Sequence, residues 1–158
     1  MIRERILSMG NVIPQIGFVK NHQDAKLPSC NHTDAMTGDT GYDLYCTESS
    51  YIQPKTSSVI DVGLTVGYIE PGYWFQIQPR SGLGFKKGIQ PHLGVIDNQY
   101  RGSLAVKLYN FSNNPVAINK GDRIAQIVVH RLNHVEMQFV DNVSETTRGS
   151  SGLGSSGS

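Results

Sequence analysis

The chain has 158 residues, 38% hydrophobic and 17% charged, a size that fills one hydrophobic core and leaves little for a second. Fourteen Lys and Arg against thirteen Asp and Glu exclude a basic field for duplex nucleic acid, so a polyanion would have to be held by local donors. No apolar run reaches the length of a membrane span, and Met1-Ile2-Arg3-Glu4-Arg5 is too charged for a secretory leader; a soluble, intracellular (cytoplasmic) protein is expected.

In chain order, residues 1–13 read as an N-terminal extension, 14–140 as one β domain and 141–158 as a flexible C-terminal arm. Residues 29–39 are polar and read as a surface loop without an assigned role. Cys30 and Cys46 lack metal-ligand spacing; two free thiols are expected, with one disulfide as the alternative. In Gly41-Tyr42-Asp43-Leu44-Tyr45 an acid lies between apolar positions of a strand. Such an acid needs a cation, and Arg80 and Arg123 are the obvious type. A structural ion pair and indirect support of a metal both stay open for Asp43.

Period-two patterns follow: Val62, Leu64 and Val66, then Phe75 and Ile77, then Leu104, Val106 and Leu108, and an apolar run from Ile124 to Val129. Turns fall at Glu70-Pro71-Gly72, Asn113-Asn114-Pro115 and Asn119-Lys120-Gly121-Asp122. The sum is an all-β protein, a single-domain jelly-roll-like distorted barrel. One short helix is expected from Ser81, as N-cap, toward Lys86-Lys87, with Gly88 as the stop. At its start Arg80 adds a planar cation and Gly82 admits close approach to backbone amides, so the segment suits an anion; a plain helix cap is the bland alternative.

The segment Gly94-Val95-Ile96-Asp97-Asn98-Gln99-Tyr100-Arg101-Gly102 reads as a β-hairpin with a buried arm, delivering the Asp97 carboxylate and the Tyr100 ring to one mouth. Gln126 is a polar residue inside an apolar run and requires a partner, either a neighbouring backbone or a phosphate. The tail places Arg148-Gly149 ahead of Gly152-Leu153-Gly154-Ser155-Ser156-Gly157. That composition fits a linker, or a mobile segment wrapping a polyphosphate.

Five of these segments, in this order, resemble the motifs of the trimeric dUTP nucleotidohydrolase (dUTPase) family: Gly41-Tyr42-Asp43-Leu44, Pro79-Arg80-Ser81-Gly82-Leu83, Gly94-Val95-Ile96-Asp97 with Tyr100-Arg101-Gly102, Gly121-Asp122-Arg123-Ile124-Ala125-Gln126, and the Arg148 tail. The resemblance implies a homotrimer whose sites each draw on three subunits. It also implies hydrolysis of dUTP to dUMP and pyrophosphate, with Mg²⁺ carried mainly on the phosphates. That reaction keeps uracil out of DNA and supplies dUMP for dTMP synthesis. By resemblance, Asp97 is the general base, and Tyr100 packs under the deoxyribose. The backbone of Leu93, Gly94, Val95 and Ile96 reads uracil. Arg80, Ser81, Gly82 and Gln126 hold phosphate, and Asp43 lies near the metal's water shell or braces the arginines. Arg148 clamps the γ-phosphate, and Leu153 and Gly154 close over the substrate.

Three departures accompany the match: Leu153 stands where the family's arm commonly has an aromatic, Pro91 lies where many members carry asparagine, and residues 29–39 are longer than the usual connection. A non-catalytic dUTP-binding trimer and a dCTP deaminase-like enzyme are the alternatives. The deaminase needs a glutamate beside the base, and residues 88–102 contain none.

Overall fold

The computed structural model describes residues 13–152. Ten strands and one helix follow in order: β1 Ile16–Lys20, β2 Gly41–Tyr45, β3 Ser50–Ile52, β4 Ser57–Ile69, β5 Tyr73–Gln78, α1 Ser81–Lys87, β6 Ile89–Pro91, β7 Gly94–Ile96, β8 Ser103–Asn110, β9 Val116–Ile118 and β10 Arg123–Arg131. They form two four-stranded sheets, ordered β1-β4-β8-β6 and β2-β10-β5-β7, and a small pair β3-β9. Every pairing is antiparallel. The expected jelly-roll-like β fold is present, but strand pairing does not close the sheets into one barrel.

Alternation decides what lies between the sheets. Val62, Leu64, Val66, Leu104, Val106 and Leu108 come inward from the first sheet, and Leu44, Phe75, Ile77, Ile124, Ala125 and Ile127 from the second. Each of these side chains other than Ala125, fully buried, contributes about 1.5–3 kcal/mol of transfer free energy. Asn110, almost wholly buried, is satisfied on both sides of its amide. Its Nδ2 donates to the carbonyls of Ile52 (2.9 Å) and Asn114 (2.8 Å), and its Oδ1 accepts from the Ser112 backbone N–H (3.0 Å).

Two expectations need correction. Ser81 is the first helical residue rather than the N-cap; extended Arg80 (φ −98°, ψ 132°) holds the cap position without a side-chain cap bond. Gly88 does stop the helix, in the left-handed conformation (φ 65°) that a Cβ disfavours. Residues 94–102 are not a hairpin of two paired arms. β6 pairs with β8, whereas β7 crosses to the other sheet and pairs with β5, and Val95 is exposed. Proximity along the chain suggested a local partner; Ile96 instead packs opposite Phe75 in the core.

Both cysteines are free. Cys46 is buried with its S–H directed at the Asn119 carbonyl (3.0 Å), and burial pushes its thiol above the ordinary value. No helix among the described residues is long and apolar enough to cross a membrane.

Candidate active site

Strand register builds the first half of the site. Asp43 of β2 lies opposite Gln126 of β10, and Gln126 lies opposite Gln78 of β5. Residues in register share a face, so three polar side chains form a row on the outer side of the second sheet. The register slips between Arg123 and Ala125, a bulge of one extra residue. Ile124 and Ala125 are therefore both buried in succession, and Arg123 returns to the outer face beside Asp43.

Asp43 is held by two cations. Arg80 Nε donates to Oδ1 at 2.6 Å and Arg123 Nη1 lies 3.5 Å from Oδ2, with the carboxylate 16% exposed. Arg80 Nη1 also donates to the Arg123 carbonyl (3.3 Å). The expected arginine partners are both present, and the guanidiniums are fixed without a ligand. Gln126 Nε2 donates to the Pro79 carbonyl (2.8 Å), so its partner is backbone. A Cβ on Gly41 would meet the Gln126 amide, so any larger residue there would displace that side chain from its present position. At Gly82, by contrast, a Cβ would meet nothing within 4 Å beyond its chain neighbours and its own helix backbone, so that side of the residue is open. These residues surround a polar cavity of about 340 Å³ lined by Asp43, Arg80, Ser81, Gly82, Arg123 and Gln126 together with part of the 29–39 loop.

The second half lies beyond β7. Asp97 follows Ile96 with its carboxylate exposed and, among the described residues, without a hydrogen-bond or ion-pair partner. The surrounding turn is firmly tied. Asn98 Nδ2 reaches the carbonyls of Glu70 (2.9 Å) and Tyr73 (2.8 Å), and Arg101 Nη1 those of Asn98 (2.7 Å) and Tyr100 (2.8 Å). Tyr100 donates its hydroxyl to the Ser103 carbonyl (2.8 Å) and is 40% exposed. β7 is an edge strand, so Gly94, Val95 and Ile96 present backbone groups with no strand on their outer side among the described residues. Leu93, just ahead of it, is half exposed.

Within the chain these halves stand apart. β7 sets Ile96 opposite Phe75, so Asp97 lies near one end of β5 while Arg80 follows the other end. Six residues of strand separate positions 74 and 80, roughly 20 Å at about 3.3 Å per residue. Arg148 joins neither half; its Nε donates to the Ser151 carbonyl (2.9 Å) within the arm. Leu153 and Gly154 lie outside the described residues. Sequence reasoning passed over Asn98, whose amide is the tie of the turn, and the part of Arg123 in the cavity wall. Arg123 was legible only as a partner type, because the bulge that turns it outward depends on β2.

A sheet sandwich with a preset arginine–carboxylate cluster beside a polar cavity, and an unpartnered acid just after an edge strand, defines a class: an all-β protein with a cation-lined polar cavity. The dUTPase family model matches residues 28–157, and the chain belongs to the dUTPase family. The deoxyuridine 5'-triphosphate nucleotidohydrolase of Wolinella succinogenes is 40% identical over 145 residues, covering 90% of this chain and 94% of its own. That of Mus musculus is 34% identical over 140 residues, covering 89% and 83%. The solved dUTPase of Staphylococcus bacteriophage 80alpha with dUpNHpp superposes with a TM-score of 0.80 at 27% identity, covering 91% of this chain and 99% of that one.

Proposed function

We propose that this protein hydrolyses dUTP to dUMP and pyrophosphate as a homotrimer. The observation that carries the reading is the division of the site: fixed cations at Arg80 and Arg123, and an unpartnered acid at Asp97 roughly 20 Å away along β5. A second copy must supply the acid to the cations. Segment 132–143 supports assembly. Val135, Met137 and Phe139 alternate with Glu136 and Gln138 in strand-like period, and all three apolar side chains are exposed, Phe139 completely. Contiguous apolar surface of this kind is normally covered.

In the mechanism, Asp97 accepts a proton from water while that oxygen attacks the α-phosphorus. The α–β phosphoanhydride bond breaks, and its electron pair leaves on pyrophosphate. Arg80, with the amides at Ser81 and Gly82, takes up charge on the phosphates, and Arg148 adds a cation when the arm closes. Gln126, held by the Pro79 carbonyl, sets the wall of the phosphate cavity. The open edge of β7 pairs with uracil, and cytosine is refused because its donor and acceptor are exchanged, leaving backbone groups unpaired. The exposed Tyr100 side chain packs under deoxyribose and excludes a 2′-hydroxyl.

The donor set fits Mg²⁺ brought in with substrate. Among the described residues no cluster of three His, Cys, Asp or Glu exists, and Asp43 is already bound to arginines. Phosphate oxygens and waters would therefore hold the ion, with Asp43 at the edge of its water shell. When bound, Mg²⁺ neutralises polyphosphate charge.

The test is pyrophosphate release from dUTP, set against dCTP, dTTP and UTP, for wild type and Asp97→Asn. Turnover of dUTP alone, abolished in Asp97→Asn, is expected. Tight dUTP binding without pyrophosphate in wild type would establish a binder, and ammonia from dCTP a deaminase.

A further inference from the structure

The 29–39 loop, longer than the usual family connection, is a built wall of the phosphate cavity. Asp34 Oδ1 accepts from the Met36 N–H (2.9 Å), the Thr37 N–H (2.8 Å) and the Thr37 hydroxyl (2.9 Å). The Gly38 N–H donates to the Asp34 carbonyl (2.9 Å) and the Asp39 N–H to the His32 carbonyl (2.8 Å), closing the loop on itself. Asp39 in turn accepts from the His32 N–H (3.1 Å) and faces its ring at 3.2 Å. This is a preorganised Ω-like segment.

Two polar side chains stand apart from that internal bonding. Asn31 and Thr40 line the cavity across from Arg80, Ser81 and Gly82, and among the described residues neither the Asn31 amide nor the Thr40 hydroxyl has a hydrogen-bond partner. The loop satisfies its own polar groups and leaves Asn31, together with Thr40 immediately after the loop, on the cavity side. Asp39 also lines the cavity, but its charge is engaged by His32. On the other side of Arg80 and Gln126 a second cavity is walled by Phe85 and Phe111, so the two cavities differ in polarity. The cavity of Asn31 and Thr40 is the polar one that holds Arg80 and Arg123, so the phosphate end of the substrate belongs there.

We infer that Asn31 and Thr40 contact the terminal phosphate of the substrate, making the loop a determinant of triphosphate over diphosphate. The inference rests on the dUTP reading above and extends it to a part of the chain outside the matched motifs. Both side chains are exposed and unpartnered, so substitution there should leave the fold intact.

The test measures Kd for dUpNHpp with Mg²⁺, for dUDP and for dUMP in wild type, Asn31→Asp and Thr40→Val. Asn31→Asp sets a negative charge against the terminal phosphate, and a loss of about tenfold or more for dUpNHpp is expected. Thr40→Val is expected to weaken dUpNHpp about threefold, with dUDP and dUMP unchanged for both variants. Kd values for dUpNHpp within twofold of wild type in both variants would overturn the inference, as would equal weakening of all three ligands. Failure of the wild type to bind dUpNHpp would instead remove the dUTP reading, and this inference with it.

Discussion

The two halves of the site are built in opposite ways. At the cavity, Asp43, Arg80, Arg123 and Gln126 are bonded to one another or to backbone before any ligand arrives. Beyond β7, Asp97 is bare while the backbone around it is tied down by Asn98 and Arg101. The two guanidiniums, which on the proposed mechanism receive the polyphosphate, have in Asp43 a counter-charge that fixes their aim and offsets their mutual repulsion. On the proposed mechanism Asp97 takes a proton from water and needs free lone pairs, and there rigidity comes from main-chain anchoring.

The contrast predicts that substitutions separate into losses of rate and losses of stability. The largest effect is expected from Asp97→Asn, a fall in kcat of about 10²–10⁴-fold with an unchanged urea midpoint. A lowered midpoint corresponding to a stability loss of about 2 kcal/mol or more would mean that Asp97 is structural. Asp43→Ala should do the reverse first. Leaving two guanidiniums uncompensated should cost about 2 kcal/mol, less than a fully buried pair because Arg123 is partly exposed, with KM for dUTP raised as the arginines lose their aim. An unaltered denaturation curve would contradict the preset-cluster account.

Gln126→Leu sharpens the comparison further, since it removes the bond to Pro79 and keeps the volume. About 1 kcal/mol of stability should go, with a several-fold rise in KM. Tyr100→Phe breaks only the bond to Ser103 and should cost about 1 kcal/mol without admitting UTP, whereas Tyr100→Ala should admit it. UTP turnover equal in all three proteins would show that sugar selection lies elsewhere.

The smallest effect concerns the 29–39 loop. The His32 backbone N–H holds Asp39, and the Met36 and Thr37 donors hold Asp34, below the usual carboxylate range. A depressed carboxylate stabilises above its unfolded value and loses that contribution as pH falls through the folded one, so the loop should loosen only below about pH 4. Amide exchange at Met36, Thr37 and Gly38 reads this directly; protection that persists at pH 2 would contradict it. Leu153→Phe is a separate probe of the arm: an aromatic there should tighten the Michaelis complex by about 1–3 kcal/mol, and unchanged kcat and KM would dismiss it.

Much of this was legible from the residues. Alternation gave the inward faces of β4, β5 and β8, Gly88 marked the helix stop, and Asp43 announced a need for arginine. Ser81 misled because serine is a favoured cap, yet the extended residue before the helix is Arg80. The 94–102 segment misled because a short apolar stretch does not say which sheet it joins. Asn31 and Thr40 carried no signal, since an amide and a hydroxyl in a polar loop look the same whether or not they face a cavity.

The amino-acid order by itself determined the strand periodicity, the turns, the one short helix and the motifs that mark the family, because each depends on neighbours a few residues away. Only the tertiary structure decided that β7 leaves β6 and β8 for the opposite sheet, that a bulge turns Arg123 toward Asp43, and that acid and cations lie at opposite ends of β5. Those are outcomes of pairing between distant segments, and pairing is settled by which register buries the apolar face.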